Sequence, residues 1–196
     1  MATPKVERKR LGGEERRATI IEAAGRLFGE HGYERTRIDE IAAAAGVTKP
    51  IVYRHFDSKR DLYLALLDRH REDLPGFVAT MPTEGTTEER MRAVLDGWLD
   101  YVEARSYSWK MLFRDAGGGP EIAARRREVH AEARAVLVAL IRALAATPVP
   151  RRQLEPLAEL MSMGMAALVL WWIEEQAVSR AAVLDALTTA WVRLLA

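Results

Sequence analysis

Apolar residues recur at three- and four-residue intervals along nearly the whole chain, and almost nowhere alternate as a half-buried strand would. The first periodic stretch, about Glu14 to His31, places Ile20, Ile21, Ala24, Leu27 and Phe28 on one face. Gly32 is placed to end it, because glycine takes the left-handed C′ conformation without steric cost. Thr36 then reads as an N-cap with Asp39 three residues on, and Ser58 with Asp61 repeats the device ahead of DLYLALLDRH. Leu74-Pro75-Gly76 ends or kinks that fourth helix, and MPTEGTTEE is a loop. Further helices follow at about 88–104, 107–115, 120–145, 151–176 and 179–195, separated by GGGP and TPVP. The expected fold is all-α with about nine helices: a basic flexible arm (1–13), a three-helix head (14–60) and a helical body (61–196).

The densest information lies in TRIDEIAAAAGVTKPIVYRHFDSK, residues 36–59. Two short helices around a tight turn need a small residue in the first and glycine four positions later, as Ala42 and Gly46 provide. Ile41, Ala45, Val47, Val52 and Phe56 supply apolar contacts that lock the pair, which makes this segment a helix-turn-helix. The second helix starts at Thr48 with Pro50 in its first turn, where the missing N–H costs nothing. Lys49, Pro50 and Ile51 would then face base edges in a DNA major groove. Tyr53, His55 and Lys59 read as phosphate ligands, which fix register without reading sequence, with local packing the alternative for Tyr53 and His55; the Thr48 hydroxyl either caps the helix or donates to a phosphate. Arg37 is either a further backbone contact or a solvated charge. The arm residues Lys5, Arg8, Lys9 and Arg10 either follow the DNA or merely solubilise the tail.

From Glu14 to Leu67 the chain resembles the N-terminal domain of the TetR family of transcriptional regulators. The matching residues are Ala23, Leu27-Phe28, Gly32-Tyr33, Thr36, Ile38, Ile41-Ala42, Ala45-Gly46-Val47, Tyr53, His55-Phe56, Lys59 and Leu62. The resemblance implies an all-helical homodimer on a palindromic double-stranded DNA operator, with phosphate contacts at Thr36, Thr48, Tyr53, His55 and Lys59. It also implies dimerisation through the last two long helices and a ligand cavity in the body. DLYLALLDRHREDL and LFRDAGGGPEIAARRREV are loosely similar to actinobacterial members that sense fatty acyl compounds.

The eighth helix, with LAELMSMGMAALVLWWIEE, is apolar nearly all round, so one face must pack inward and another against something outside the subunit. With the stripe on the last helix, Leu168, Trp172, Leu184, Leu187 and Trp191 are expected at a four-helix dimer interface. Trp98, Tyr101, Trp109, Met111, Leu112, Phe113, Met161 and Met165 are the candidates for lining a largely apolar effector cavity, flexible Met suiting such walls; each is also a plain core candidate. Arg125, Arg126 and Arg127 would meet phosphates of a ligand or form a solvated face near Glu121 and Glu128.

Composition narrows the alternatives. Cysteine is absent, which removes disulfides, cysteine-based zinc sites and cysteine nucleophiles. The four histidines stand apart at 31, 55, 70 and 130, GGGP lacks the Lys-Ser/Thr of a phosphate loop, and no nucleophile elbow occurs. No catalytic residue, metal or cofactor is therefore expected. The net charge is +1, but residues 1–60 carry 13 Lys/Arg against 9 Asp/Glu, so the head is the basic end. The longest apolar run, 160–173, is shorter than the about 20 residues of a membrane span; with no signal peptide, a cytoplasmic location is expected. These readings converge on a DNA-binding repressor released by a small apolar ligand, fatty acyl-like by the looser similarity. A ligand-dependent activator and a helical adaptor without DNA binding are the alternatives.

Overall fold

A computed structural model describes residues 12–79, 82–115, 117–145, 147–175 and 177–195. Among these there are nine α-helices and no strand. They are α1 (Gly13–Arg35), α2 (Ile38–Ala44), α3 (Lys49–His55), α4 (Lys59–Ala79), α5 (Thr87–Ala104), α6 (Ser106–Phe113), α7 (Gly119–Leu144), α8 (Arg151–Glu174) and α9 (Arg180–Leu195). The arm residues Lys5, Arg8, Lys9 and Arg10 lie outside the described residues.

Local signals set most boundaries. Gly32 has φ 77° and breaks the helical path of α1 near its end. Gly46, φ 65°, makes the α2–α3 turn, with its N–H donating to Ala43 O (3.1 Å) and that of Val47 to Ala42 O (2.9 Å). Ser58 Oγ accepts from Asp61 N–H at 3.0 Å, as expected. The cap before α2 is shifted by one residue: Arg37 is the N-cap, and Glu40 rather than Asp39 accepts its N–H at 3.0 Å. Pro75 does not end the fourth helix, which continues to Ala79.

Two apolar clusters fill the interior. The first joins α1–α4 through Ile20, Phe28, Ile41, Val52, Phe56 and Leu62, and runs on into Tyr107, Met111 and Ile122 of the body. There is accordingly no gap in packing at residue 60. The second lies among α5–α9 around Trp98, Trp109, Val169 and Trp191. By length and composition α8, 24 residues long with an 18-residue stretch of mean hydropathy 1.5, is apolar enough to cross a membrane, which the shorter run 160–173 had not suggested. Its Leu154, Ala158, Met165, Ala166 and Val169 are buried within the bundle.

Helices α1 and α6 approach closely where two glycines face one tyrosine. A Cβ at Gly25 would lie 2.5 Å from the Tyr107 ring, and one at Gly29 would lie 2.7 Å from Tyr107 Cβ. Tyr107 Oη also reaches Glu22 at 3.2 Å. Ion pairs join α4 to α7: Arg60–Glu121 at 3.1 Å, Arg71–Glu132 at 3.7 Å, and Asp68–Arg125.

Candidate nucleic-acid interface and internal cavity

The helix-turn-helix forms as its spacing requires. Ile41, Ala42, Val52 and Phe56 are buried, and Val47 packs partly buried against the same cluster. Thr48, the N-cap of α3, is exposed and its side chain makes no cap bond, so the hydroxyl is available to a phosphate. Lys49 and Pro50 are exposed and Ile51 half-buried. Lys49 Nζ meets Asp39 at 3.1 Å, an exposed pair worth about 0–1 kcal/mol, which a DNA contact readily displaces. Tyr53 is 44% exposed, His55 half-buried and Arg37 exposed, with Arg37 4.0 Å from Asp39. Arg54, exposed in the last turn of α3, belongs to the same surface and was not anticipated.

Two residues expected at phosphates are otherwise engaged. Thr36 is 1% exposed, and its hydroxyl donates inward to Gly32 O (2.8 Å), with Leu27 O at 3.2 Å. Its side chain closes the end of α1, with the hydroxyl directed away from solvent. Lys59 Nζ donates to Tyr33 O (2.8 Å) and Thr36 O (3.1 Å) and lies 4.4 Å from the Tyr33 ring centre. An ammonium at the C-terminal carbonyls of a helix meets the negative end of its dipole, so Lys59 fixes α1 against α4 rather than presenting a free charge.

The body holds a partly open cavity of about 90 Å³. Of the eight expected residues, Trp98, Trp109, Leu112, Phe113 and Met165 line it. Tyr101, Met111 and Met161 do not: Met111 is buried in the head's cluster, Met161 packs half-buried in the bundle, and Tyr101 stands behind the wall with Oη 2.5 Å from His70 Nδ1. The rest of the wall comes from α5 and α7 (Val94, Leu95, Val129, Ala133, Val136, Leu137, Leu140), with Trp191 of α9 and three polar residues, His70, His130 and Ser162. Burial drives the His70 pKa down to about 4, helped by His130 and Arg105 nearby, and burial also lowers that of His130. Both imidazoles are neutral near pH 7. In the sequence these histidines had no role, since they stand apart from one another; a lone histidine on the apolar stripe of a helix was the signal available.

The position of α6 connects cavity and head. Trp109, Leu112 and Phe113 form cavity wall, whereas Tyr107 of the same helix grips α1. Just beyond it, Asp115 accepts from the Tyr33 N–H (2.8 Å) and lies 3.0 Å from Tyr63 Oη. Burial first, then the adjacent Asp115 charge, raises the Tyr63 pKa far above the usual range, so the phenol remains a donor. In the arginine run, Arg125 and Arg126 are half-buried and bonded within the subunit, whereas Arg127 is exposed. Arg125 pairs with Asp68 and with Glu128 (2.9 Å), and Arg126 donates to the carbonyls of Asp115 and Gly117.

The expected dimer residues divide. Leu184, Leu187 and Trp191 point into their own subunit, Trp191 being 0% exposed. Leu168 and Trp172 are half-buried, with Trp172 Nε1 donating to Val178 O at 3.0 Å. The outward apolar face of α8 is instead Leu160 (64% exposed), Met163 and Trp171 (47%), beside Gly164 and Ala167.

Comparison with known proteins matches two successive parts of the chain. Residues 20–66 match the profile "Bacterial regulatory proteins, tetR family", and residues 87–194 match "Tetracyclin repressor-like, C-terminal domain". The HTH-type transcriptional activator FasR of Mycolicibacterium smegmatis is 38% identical over 117 residues, 59% of this chain and 53% of FasR. The regulator TtgR of Pseudomonas putida is 46% identical over 67 residues, 34% of this chain and 32% of TtgR. The chain thus spans about half or less of the length of these relatives. A tetR-family transcriptional regulator from Streptomyces coelicolor superposes with TM-score 0.70 at 28% identity, covering 91% of this chain and 79% of that one. The fatty acid degradation regulator FadR of Bacillus halodurans shares the fold, with TM-score 0.68 at 23% identity over 95% of this chain and 96% of its own. With both profiles in order along the sequence, the second over more than half of it, the chain belongs to the TetR family of bacterial regulatory proteins.

Proposed function

We propose that this protein is a homodimeric transcriptional regulator that binds a palindromic DNA operator in the cytoplasm and responds to a small apolar ligand held among α4–α9. The observation that carries this reading is the double role of α6 and the residue just beyond it: Trp109 and Phe113 wall the cavity, while Tyr107 of the helix and Asp115 after it hold the head. A ligand that spreads the cavity wall at α6 would carry with it the α1 segment packed on Tyr107. Each head would present Thr48, Lys49, Pro50, Ile51, Tyr53 and His55 to one major groove, with Arg37 at its edge. The α8 face around Leu160, Met163 and Trp171 would meet its copy across a two-fold axis, since a closed dimer uses one patch on both subunits.

In the repressor reading the ligand prefers the arrangement of heads that does not fit the operator, and so releases DNA. The similarity to FasR, an activator by name, favours the opposite sign as the second reading. Selection of bound duplexes from a randomised pool tests the proposal. An inverted repeat with half-sites about one helical turn apart is expected. Failure to enrich any sequence overturns it.

A further inference from the structure

Residues 36–59 contain four Lys and Arg side chains. Three of them have partners within the head: Arg37 lies 4.0 Å and Lys49 3.1 Å from Asp39, and Lys59 is held at the end of α1. Arg54 is exposed and makes no hydrogen bond or ion pair among the described residues. The last turn of α3 therefore presents one unengaged guanidinium.

Its direction follows from helix geometry. Val52 is 0% exposed and marks the inner side of α3. At about 100° per residue, Pro50 and Arg54 each lie about 160° from Val52, closer to the opposite side than any other residue of the helix. Ile51 and Tyr53 lie about 100° away, on the two flanks. Lys49 and His55 lie about 60° away, which agrees with the Lys49 contact to Asp39 of α2 and with the half-buried state of His55. Residues four apart stand one above the other along a helix. Pro50 and Arg54 thus form the outermost line of α3, and proline has no side-chain donor or acceptor. Arg54 is the hydrogen-bonding group on that line.

The length of α3 suits a base contact from this position. Its seven residues span about 10 Å, within the about 12 Å width of a major groove, so both turns fit inside it. A guanidinium offers its donors as a planar fork, which matches the O6 and N7 acceptors on the major-groove edge of guanine. An exposed arginine without a partner also gives up no bond in order to make these.

We infer that Arg54 is a base-reading residue, which donates two hydrogen bonds to the major-groove edge of a guanine in each operator half-site. This rests on the reading of α3 as the DNA-facing helix, and it adds a sequence determinant beyond Lys49, Pro50 and Ile51. The operator then carries a G·C pair at the same place in both half-sites.

The test compares the wild-type full chain with Arg54→Ala, whose native circular dichroism is confirmed first. The wild type selects an operator from a randomised duplex pool. Both proteins are then titrated by anisotropy, at several salt concentrations, against duplexes in which each base pair is changed in turn in both half-sites. The wild type should prefer guanine at one pair of each half-site by at least about five-fold, the lower end for a bidentate contact. Arg54→Ala should level the four bases at that pair and keep the preferences elsewhere. Equal weakening on every duplex, with a smaller salt slope, would make Arg54 a phosphate ligand and overturn the inference. Unchanged binding, an operator with no G·C pair in its half-sites, or levelling at a pair that is not G·C overturns it too. Each of these outcomes leaves the regulatory reading standing, whereas failure of the wild type to enrich any sequence overturns both.

Discussion

The α1–α6 contact is where cavity and head are joined, and it makes a quantitative prediction about glycine. Replacing a glycine inside a helix with alanine ordinarily stabilises by about 0.5–1 kcal/mol, through the lost backbone freedom of the unfolded chain. Gly97, exposed in the middle of α5 with nothing within 4 Å of its would-be Cβ, should show this gain as Gly97→Ala. Gly25 and Gly29 should not. A Cβ at Gly25 meets three atoms of the Tyr107 ring at 2.5–2.8 Å, and one at Gly29 meets Tyr107 Cβ at 2.7 Å and Cα at 2.9 Å. Overpacking of this kind costs about 1–3 kcal/mol, so each substitution should destabilise by about 1–2 kcal/mol after the helical gain is deducted. The two obstacles differ, and Tyr107→Ala separates them. Removing the ring leaves open space for a methyl group at position 25, so Gly25→Ala should become stabilising in that background. Alanine keeps the Cβ and Cα that obstruct position 29, so Gly29→Ala should stay destabilising. Urea unfolding followed by circular dichroism, at one fixed protein concentration because a dimer's stability depends on it, measures all of these values. Equal effects of Gly25→Ala and Gly97→Ala, or rescue of Gly29→Ala by Tyr107→Ala, would refute the close approach.

Other consequences are as direct. His70 is neutral in the fold with a pKa near 4 against about 6.5 when unfolded, so the native state binds fewer protons between these values. Stability should therefore fall as pH drops from 6.5 towards 4, by up to about 3 kcal/mol from this group, with Tyr101, Arg105 and His130 facing it. His70→Gln should flatten that part of the profile in pH-dependent unfolding, and an unaltered profile would contradict the assignment. Lys59→Ala should cost about 1–2 kcal/mol of stability through its lost bonds to the end of α1, seen as a lower urea midpoint. Tyr53→Phe should leave stability unchanged and weaken binding to every duplex alike in anisotropy titrations. Trp171→Glu on the outer face of α8 should shift the protein to monomer in sedimentation, and persistence of the dimer would remove that face from the interface.

What was legible in the sequence follows the range of the forces involved. Gly32, Gly46 and Ser58 act within a few residues, so the helix-turn-helix and the helix count could be read from them. The all-round apolar character of α8 correctly required an inner and an outer face, because periodicity registers burial. It does not register the partner: Leu184, Leu187 and Trp191 carry the stripe expected of an interface, yet pack inside their own subunit. Thr36 and Lys59 have the chemistry of phosphate ligands, but bonds to carbonyls at the end of α1 already occupy them. The cavity's polar members, His70, His130 and Ser162, come from three helices and share no spacing that a sequence could display.

The central claim is that the exposed surface of α3 reads a particular DNA sequence. The most direct test is an anisotropy titration of the protein, at 150 mM salt, against its selected operator and against the same duplex with the half-sites scrambled. The account predicts a preference of about 10³-fold or more for the operator, with affinity for both falling steeply as salt rises. Equal affinity for the two duplexes would contradict it.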